Sequence, residues 1–121
     1  MMKKSPLARK SKHKSLRQKL YAKAEKVFHA WIRERDKNCI TCGQLADQAG
    51  HWKHGKLDFD EMNLNGQCRA CNYFRSGNLG TYTIRLVDKY GLKAVKDLER
   101  RAEVIKKYSM DELKEIIAKY E

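Results

Sequence analysis

Four cysteines and a few polar residues set between them carry the chemistry available to this chain. The cysteines stand as Cys39-Ile-Thr-Cys42 and Cys68-Arg-Ala-Cys71. Four thiolates satisfy tetrahedral zinc, and a two-residue spacer lets both sulfurs of a pair converge on one ion. Two disulfides are the rival in an oxidising compartment, while a redox pair accounts for one C-x-x-C but not for two. Structural zinc on Cys39, Cys42, Cys68 and Cys71 is the stronger reading, and Gly43 after the first pair supplies the backbone freedom that such a knuckle needs. Beside the cysteines lie His51, Asn63, Asn72, Arg75 and Ser76. A neutral imidazole accepts a proton from water near neutral pH, and a divalent cation on a phosphate oxygen stabilises the charge that develops as a phosphodiester breaks. If zinc pins the segment before Cys68 against the one after it, His51 and Asn72 face each other around a place for a second metal ion.

The elements that must hold these residues can be read from the spacing of apolar positions. Leu16, Leu20, Ala24, Val27, Phe28, Trp31 and Ile32 recur at three- and four-residue steps without Gly or Pro, which predicts a long amphipathic helix over residues 14–36. Phe28 and Trp31 read as core, and His13 and His29 belong to no motif. From Gly43 to Gln67 the helical period is lost, and the positions of Leu45, Ala49 and Trp52 suit short strands joined by a loop. Cys68 to Ser76 reads as a short helix beginning at the second pair. Knuckle, hairpin and ligand-bearing helix is the order of a treble-clef zinc module, here spanning residues 38–77. Helices follow over residues 81–120: Tyr82 to Tyr90 ending at Gly91, a second carrying Leu92, Val95, Leu98, Ala102 and Ile105, and a last one opened by the capping-box pattern Ser109-Met-Asp-Glu112. The expected fold class is α+β, a zinc module between a long N-terminal helix and a C-terminal helical segment. Residues 14–121 are expected to form one domain behind a basic flexible arm, residues 1–13.

Charge points to the partner. The 121 residues hold 27 Lys+Arg and 15 Asp+Glu, a formal net charge of +12. Residues 1–37 hold 13 basic and 3 acidic side chains, so +10 of the excess precedes the first cysteine. Met1 to Leu20 contains no acid. Such a block repels itself until a polyanion neutralises it, so Lys10, Lys12, Lys14, Arg17 and Lys19 are candidate phosphate contacts and nucleic acid is the expected partner. No run of about 18 apolar residues and no signal-peptide pattern is present, which sets aside a membrane protein and leads to the expectation of a cytoplasmic one. With 35% charged residues on a short chain the apolar core is thin, so a metal site that contributes to folding fits the composition.

Taken in order, Cys39-x-x-Cys42, Ala49-Gly50-His51, Asn63-Leu64 and Cys68-x-x-Cys71-Asn72-x-x-Arg75-Ser76-Gly77-Asn78-Leu79 resembles the HNH (ββα-metal) endonuclease pattern. More closely, the chain resembles the NinG/Rap recombination proteins of lambdoid phages. That likeness takes in Phe28-x-x-Trp31-Ile32-Arg33-Glu34-Arg35-Asp36 before the first pair and the helical segment after Leu79. A more distant likeness is to phage junction resolvases of the endonuclease VII type. The resemblance implies a phage protein of the bacterial cytoplasm that cleaves branched recombination intermediates such as Holliday junctions and D-loops. It implies His51 as general base, Asn72 as a ligand of catalytic Mg2+ or Mn2+, and Asn63 as a residue holding the histidine. Arg75 would neutralise phosphate, and a two-fold junction would suit a homodimer. Most members of the HNH pattern carry an acid or histidine before the base, where this chain has Gly50. Asp47, His54, Asp58, Asp60 and Glu61 are near enough in sequence to supply the missing ligand. The alternative is a zinc module that binds or anneals DNA without cutting it.

Overall fold

The computed structural model describes residues 13–121. Lys10, Lys12 and nearly all of the expected arm lie outside the described residues. The first helix, α1 (Leu16–Arg35), starts where Ser15 accepts from the Gln18 amide and Gln18 returns a side-chain bond to the Ser15 amide. This reciprocal cap, worth about 1 kcal/mol, sets the start two residues inside the expected boundary. The hairpin consists of β1 (Gln48–His51) and β2 (Leu64–Gln67), antiparallel, with Gly50 opposite Asn65 and His51 opposite Leu64. It is followed by a π-helical turn (Ala70–Phe74), then α2 (Leu79–Tyr90), α3 (Leu92–Ala102) and α4 (Met110–Tyr120). This is an α+β chain with one small two-stranded sheet among the described residues.

Two apolar clusters grip the hairpin. In the first, Ala24, Phe28 and Ile32 of α1 meet Leu113 and Ile117 of α4, with Phe59 and Leu64 completing the set. In the second, Trp52 packs with Tyr82 and Leu86 of α2 and with Val95 and Leu98 of α3. Phe28 is buried as expected, and Trp31, half-buried, lies against Phe28 and Tyr120. Trp52 is core too: it is 6% exposed and donates its indole N–H to Thr83 Oγ1. The Ser109–Glu112 capping box forms as the sequence predicts.

Three expectations differ in detail. Leu45 is 79% exposed and takes part only in an isolated bridge to Asn38, because the chain from Cys39 to Gly43 must turn to present sulfurs. Ile105 is 87% exposed and lies beyond α3, which ends at Ala102. The short helix expected over Cys68 to Ser76 is a π-helical turn confined to Ala70–Phe74. Among the described residues no helix is long and apolar enough to cross a membrane.

The end of α1 is fastened to the sheet by polar bonds. Arg35 donates to the carbonyls of Glu61 and Leu64, and Asp36 accepts from the Gly66 amide. Burial works against the Asp36 charge, but the Arg35 guanidinium, the Gly66 amide and Lys89 outweigh it and hold its pKa below the usual carboxylate value.

Candidate active site

The two cysteine pairs meet. Each of Cys39, Cys42, Cys68 and Cys71 offers a sulfur, and all four sulfurs lie within 4.8 Å of one another. A zinc ion with four bonds of about 2.3 Å to sulfur spans that spacing, so the donor set can hold a metal such as zinc. The surroundings favour thiolate at Cys39 and Cys71, while at Cys42 the Gln44 amide is outweighed by desolvation and the neighbouring cysteine sulfurs, which push the thiol up to about 12, so the protons are shared unevenly until a cation takes their place. Burial raises the Cys39 thiol, yet the Thr41 hydroxyl and the amides of Cys68, Cys42 and Thr41 pull its pKa down to about 6. Cys71 is fully buried, and Arg75 Nη1 and Asn78 Nδ2 each approach its sulfur at 3.7 Å. Arg75, expected on phosphate, therefore leans on the cysteine cluster while remaining exposed.

His51 ends β1, and its surroundings come from three segments. Its Nε2 lies 3.5 Å from Asp58 Oδ1, with both side chains largely covered. The other Asp58 oxygen accepts from the Tyr21 hydroxyl. The His51 nitrogen contact and the Tyr21 bond lower the Asp58 pKa, against the effect of burial. From α1, the His29 ring stands edge-on to His51 with centroids 5.7 Å apart, and its buried Nε2 has no hydrogen-bond partner among the described residues. Burial, then the neighbouring His51 and Arg33, keep His29 harder to protonate than a free imidazole. Glu25, one turn earlier, is pushed up by burial and by the Asp58 charge. On the outer side the His54 ring is stacked on His51 at 5.6 Å.

Asn63 builds the loop that closes this cluster. It is fully buried; its Oδ1 accepts from the Lys53 amide, and its Nδ2 donates to the carbonyls of Lys53, Lys56 and Leu57. Leu57 has a left-handed backbone with φ 49°, a conformation costly for a branched side chain, and the Asn63 bonds hold it there. The next residue is Asp58. Asn63 thus holds the histidine's partner and the His54 loop, a more indirect role than contact with His51. On the other side of His51, the buried Tyr82 hydroxyl donates to the Gly50 carbonyl at 2.7 Å and fixes the strand.

Asn72 lies at the other end of β1 from His51: its Nδ2 donates to Gln48 Oε1, leaving its carbonyl oxygen available. Of the candidates for the missing ligand, Asp60 is engaged through both oxygens, with Arg101 on one and the Met62 and Asn63 amides on the other. Glu61 accepts from the Tyr120 hydroxyl. Asp47 is exposed ahead of β1, and Asp58 and His54 are the two that adjoin His51. The space in front of Gly50 is filled. A Cβ at position 50 would lie 1.8 Å from Oε1 of the fully buried Gln67. Lys14 precedes α1, and Arg17 and Lys19 lie in its first turn.

Sequence reasoning did not find the contribution of α1. Tyr21, Glu25 and His29 are spaced by four residues and so share one stripe of that helix, a pattern that was available as a signal.

Comparison with known proteins places the chain. It is similar to the protein ninG of Escherichia phage 933W, 36% identical over 107 residues, covering 81% of this chain and 53% of that protein. The protein ninG of Salmonella phage P22 is likewise 36% identical over 107 residues, covering 81% and 52%. That of Enterobacteria phage H19B is 39% identical over 85 residues, covering 63% and 42%. The chain spans about half the length of the curated relatives it matches. No solved structure matches it. The family model described as bacteriophage lambda NinG protein matches residues 2–121, and the chain belongs to that NinG family.

Proposed function

We propose that this protein is a metal-dependent endonuclease acting on branched DNA recombination intermediates, with a ββα-metal, treble-clef-like module held by structural zinc. The observation that carries the reading is the His51–Asp58 pair. With Nε2–H directed at Asp58, neutral His51 has Nδ1 free to take a proton from water, and the nearby carboxylate stabilises the imidazolium that results. The Tyr21 hydroxyl and the Asn63-held loop fix Asp58, so the imidazole is oriented before substrate arrives. A bound Mg2+ or Mn2+ would stabilise the charge on the scissile phosphate and leaving oxygen. The donors that adjoin His51 are Asp58 and His54; position 50 offers none, and the Asn72 carbonyl, beside Gln48 at the other end of β1, is the further oxygen that the resemblance implies. The basic N-terminal segment supplies sequence-independent affinity for the backbone.

One observation favours the second reading, a zinc module that binds or anneals DNA without cutting: Gly50 lacks the usual ligand and Gln67 closes its place. Branched and linear duplexes incubated with Mg2+, Mn2+ or EDTA separate the two. The enzyme is established by metal-dependent nicking that disappears in His51→Ala while DNA binding persists. Equal inactivity of wild type and variant on several branched substrates supports the second reading instead.

A further inference from the structure

The turn that carries the second cysteine pair leaves two aromatic rings in solvent. Tyr73 and Phe74 are each 68% exposed and pack edge to face with centroids 5.0 Å apart. The Arg69 guanidinium lies 5.9 Å from the Tyr73 ring and 5.6 Å from that of Phe74. Cys71, between them in sequence, is fully buried. The wide turn thus sends a sulfur inward to the metal cluster and two rings outward.

The charge nearest the rings is the Arg69 guanidinium, and Arg75 follows Phe74 directly. From residue 62 to residue 84 the chain contains Arg69 and Arg75 and no Asp or Glu; Arg85 is paired with Asp88. Exposed π faces edged by guanidinium groups fit a nucleobase, which stacks on the ring while its phosphate meets the cation. Within a continuous duplex every base face is covered by its neighbours. A face becomes available where the duplex branches or a nucleotide is unpaired. Asn72, a candidate ligand of the catalytic metal, directly precedes Tyr73 in the chain and donates to Gln48 at the start of the strand that ends in His51. A two-fold contact between copies is less favoured, since each Arg69 would meet a patch of its own sign.

We propose that Tyr73 and Phe74, with Arg69, form a stacking site for an unstacked nucleobase at a DNA branch point. The proposal rests on the reading of the protein as one that acts on branched DNA, and it assigns the part that tells a branch from a linear duplex.

The experiment uses the full zinc-loaded chain and a four-way junction carrying 2-aminopurine at the branch nucleotide, beside a linear duplex with the same substitution. Binding of the wild type should quench the branch fluorophore and leave the linear one nearly unchanged. Tyr73→Ala/Phe74→Ala should abolish the quench and reduce the branch-over-linear affinity ratio on the order of tenfold, while linear affinity and zinc content stay the same. Tyr73→Phe should retain the quench. A double variant that keeps its branch preference, or loses branched and linear binding equally, overturns the proposal. So does a shift from dimer to monomer in sedimentation with the quench intact, which would make the patch a contact between copies. A wild type that binds no DNA would instead defeat the underlying reading; one that binds and cuts while the variant keeps its preference defeats this inference alone.

Discussion

Asp58 Oδ1 lies 3.5 Å from His51 Nε2, and the pair is held by bonds that reach back to α1 and forward to Asn63. Asp58→Asn retains the shape but removes the charge that stabilises protonated His51. Cleavage is expected to slow on the order of tenfold to hundredfold, less than the roughly hundredfold to ten-thousandfold of a whole general base, because His51 itself remains. DNA affinity should be unchanged. An unchanged rate at saturating DNA would make Asp58 only a tether for Tyr21.

Removal of metal from the four-cysteine cluster should unfold the middle of the chain. Zinc binds finger peptides with apparent free energies on the order of 10–16 kcal/mol, comparable with the whole stability of a small domain. Metal analysis of protein purified without chelator should give one zinc per chain, and a thermal melt should lose cooperativity on chelation or in Cys71→Ser. A sharp melt unaffected by a strong chelator would show that the apolar clusters suffice.

Gly50→Ala should destabilise by about 1–3 kcal/mol through overpacking against Gln67, whose Nε2 donates to the Gly77 carbonyl at 2.9 Å. In denaturant melts of the two single variants and the double variant, Gln67→Ala should offset part of that cost. Strict additivity would show that Gln67 is not what fills the space.

Acid should weaken the fold through Asp36 and Asp58. Both have folded pKa values below the ordinary carboxylate value. Their stabilisation is complete above the unfolded value and is lost as pH falls through the depressed folded values, that is, below about pH 4. Glu25 has the opposite sign. Its folded pKa is raised above 4.5, so its charge costs stability once pH rises through that raised value. Glu25→Gln should therefore raise the melting temperature at pH 7 and have little effect near pH 4. A lower melting temperature at pH 7 would mean that Glu25 has a favourable partner.

Deleting residues 1–13 should weaken binding to branched and linear DNA alike and flatten its salt dependence, since log K falls by about 0.9 per phosphate contact for each log unit of salt. Lys14, Arg17 and Lys19 retain part of the slope. Cleavage at saturating DNA and low salt should persist. Its loss would place a catalytic group in the arm.

Local patterns carried much of the fold. The stripe from Leu20 to Ile32, the Ser109–Glu112 cap and Gly91 at the end of α2 each depend on residues a few positions apart, and α1, α4 and the end of α2 follow from them. Leu45 and Ile105 misled for the same reason: their spacing suits an element, but nothing in the fold packs against them.

The sequence by itself brought out the thiol quartet as a candidate metal site, because two-residue spacers are a local property, and the fold brings the four sulfurs together. It also singled out His51 and Asn63 as candidates and showed the division of charge between the first 37 residues and the rest. Only the tertiary structure decided which acid serves His51. Asp47, Asp58, Asp60 and Glu61 are equivalent on paper, yet Arg101 and Tyr120 engage two of them, Asp47 stays in solvent, and the loop clamped by Asn63 turns Asp58 toward the histidine. Tyr21, Glu25 and His29 join the site only because α1 crosses the hairpin, and Gly50 is closed only because Gln67 lies diagonally across the sheet. These are contacts between residues distant in the chain, fixed by packing and by the satisfaction of buried polar groups, which a local pattern does not encode.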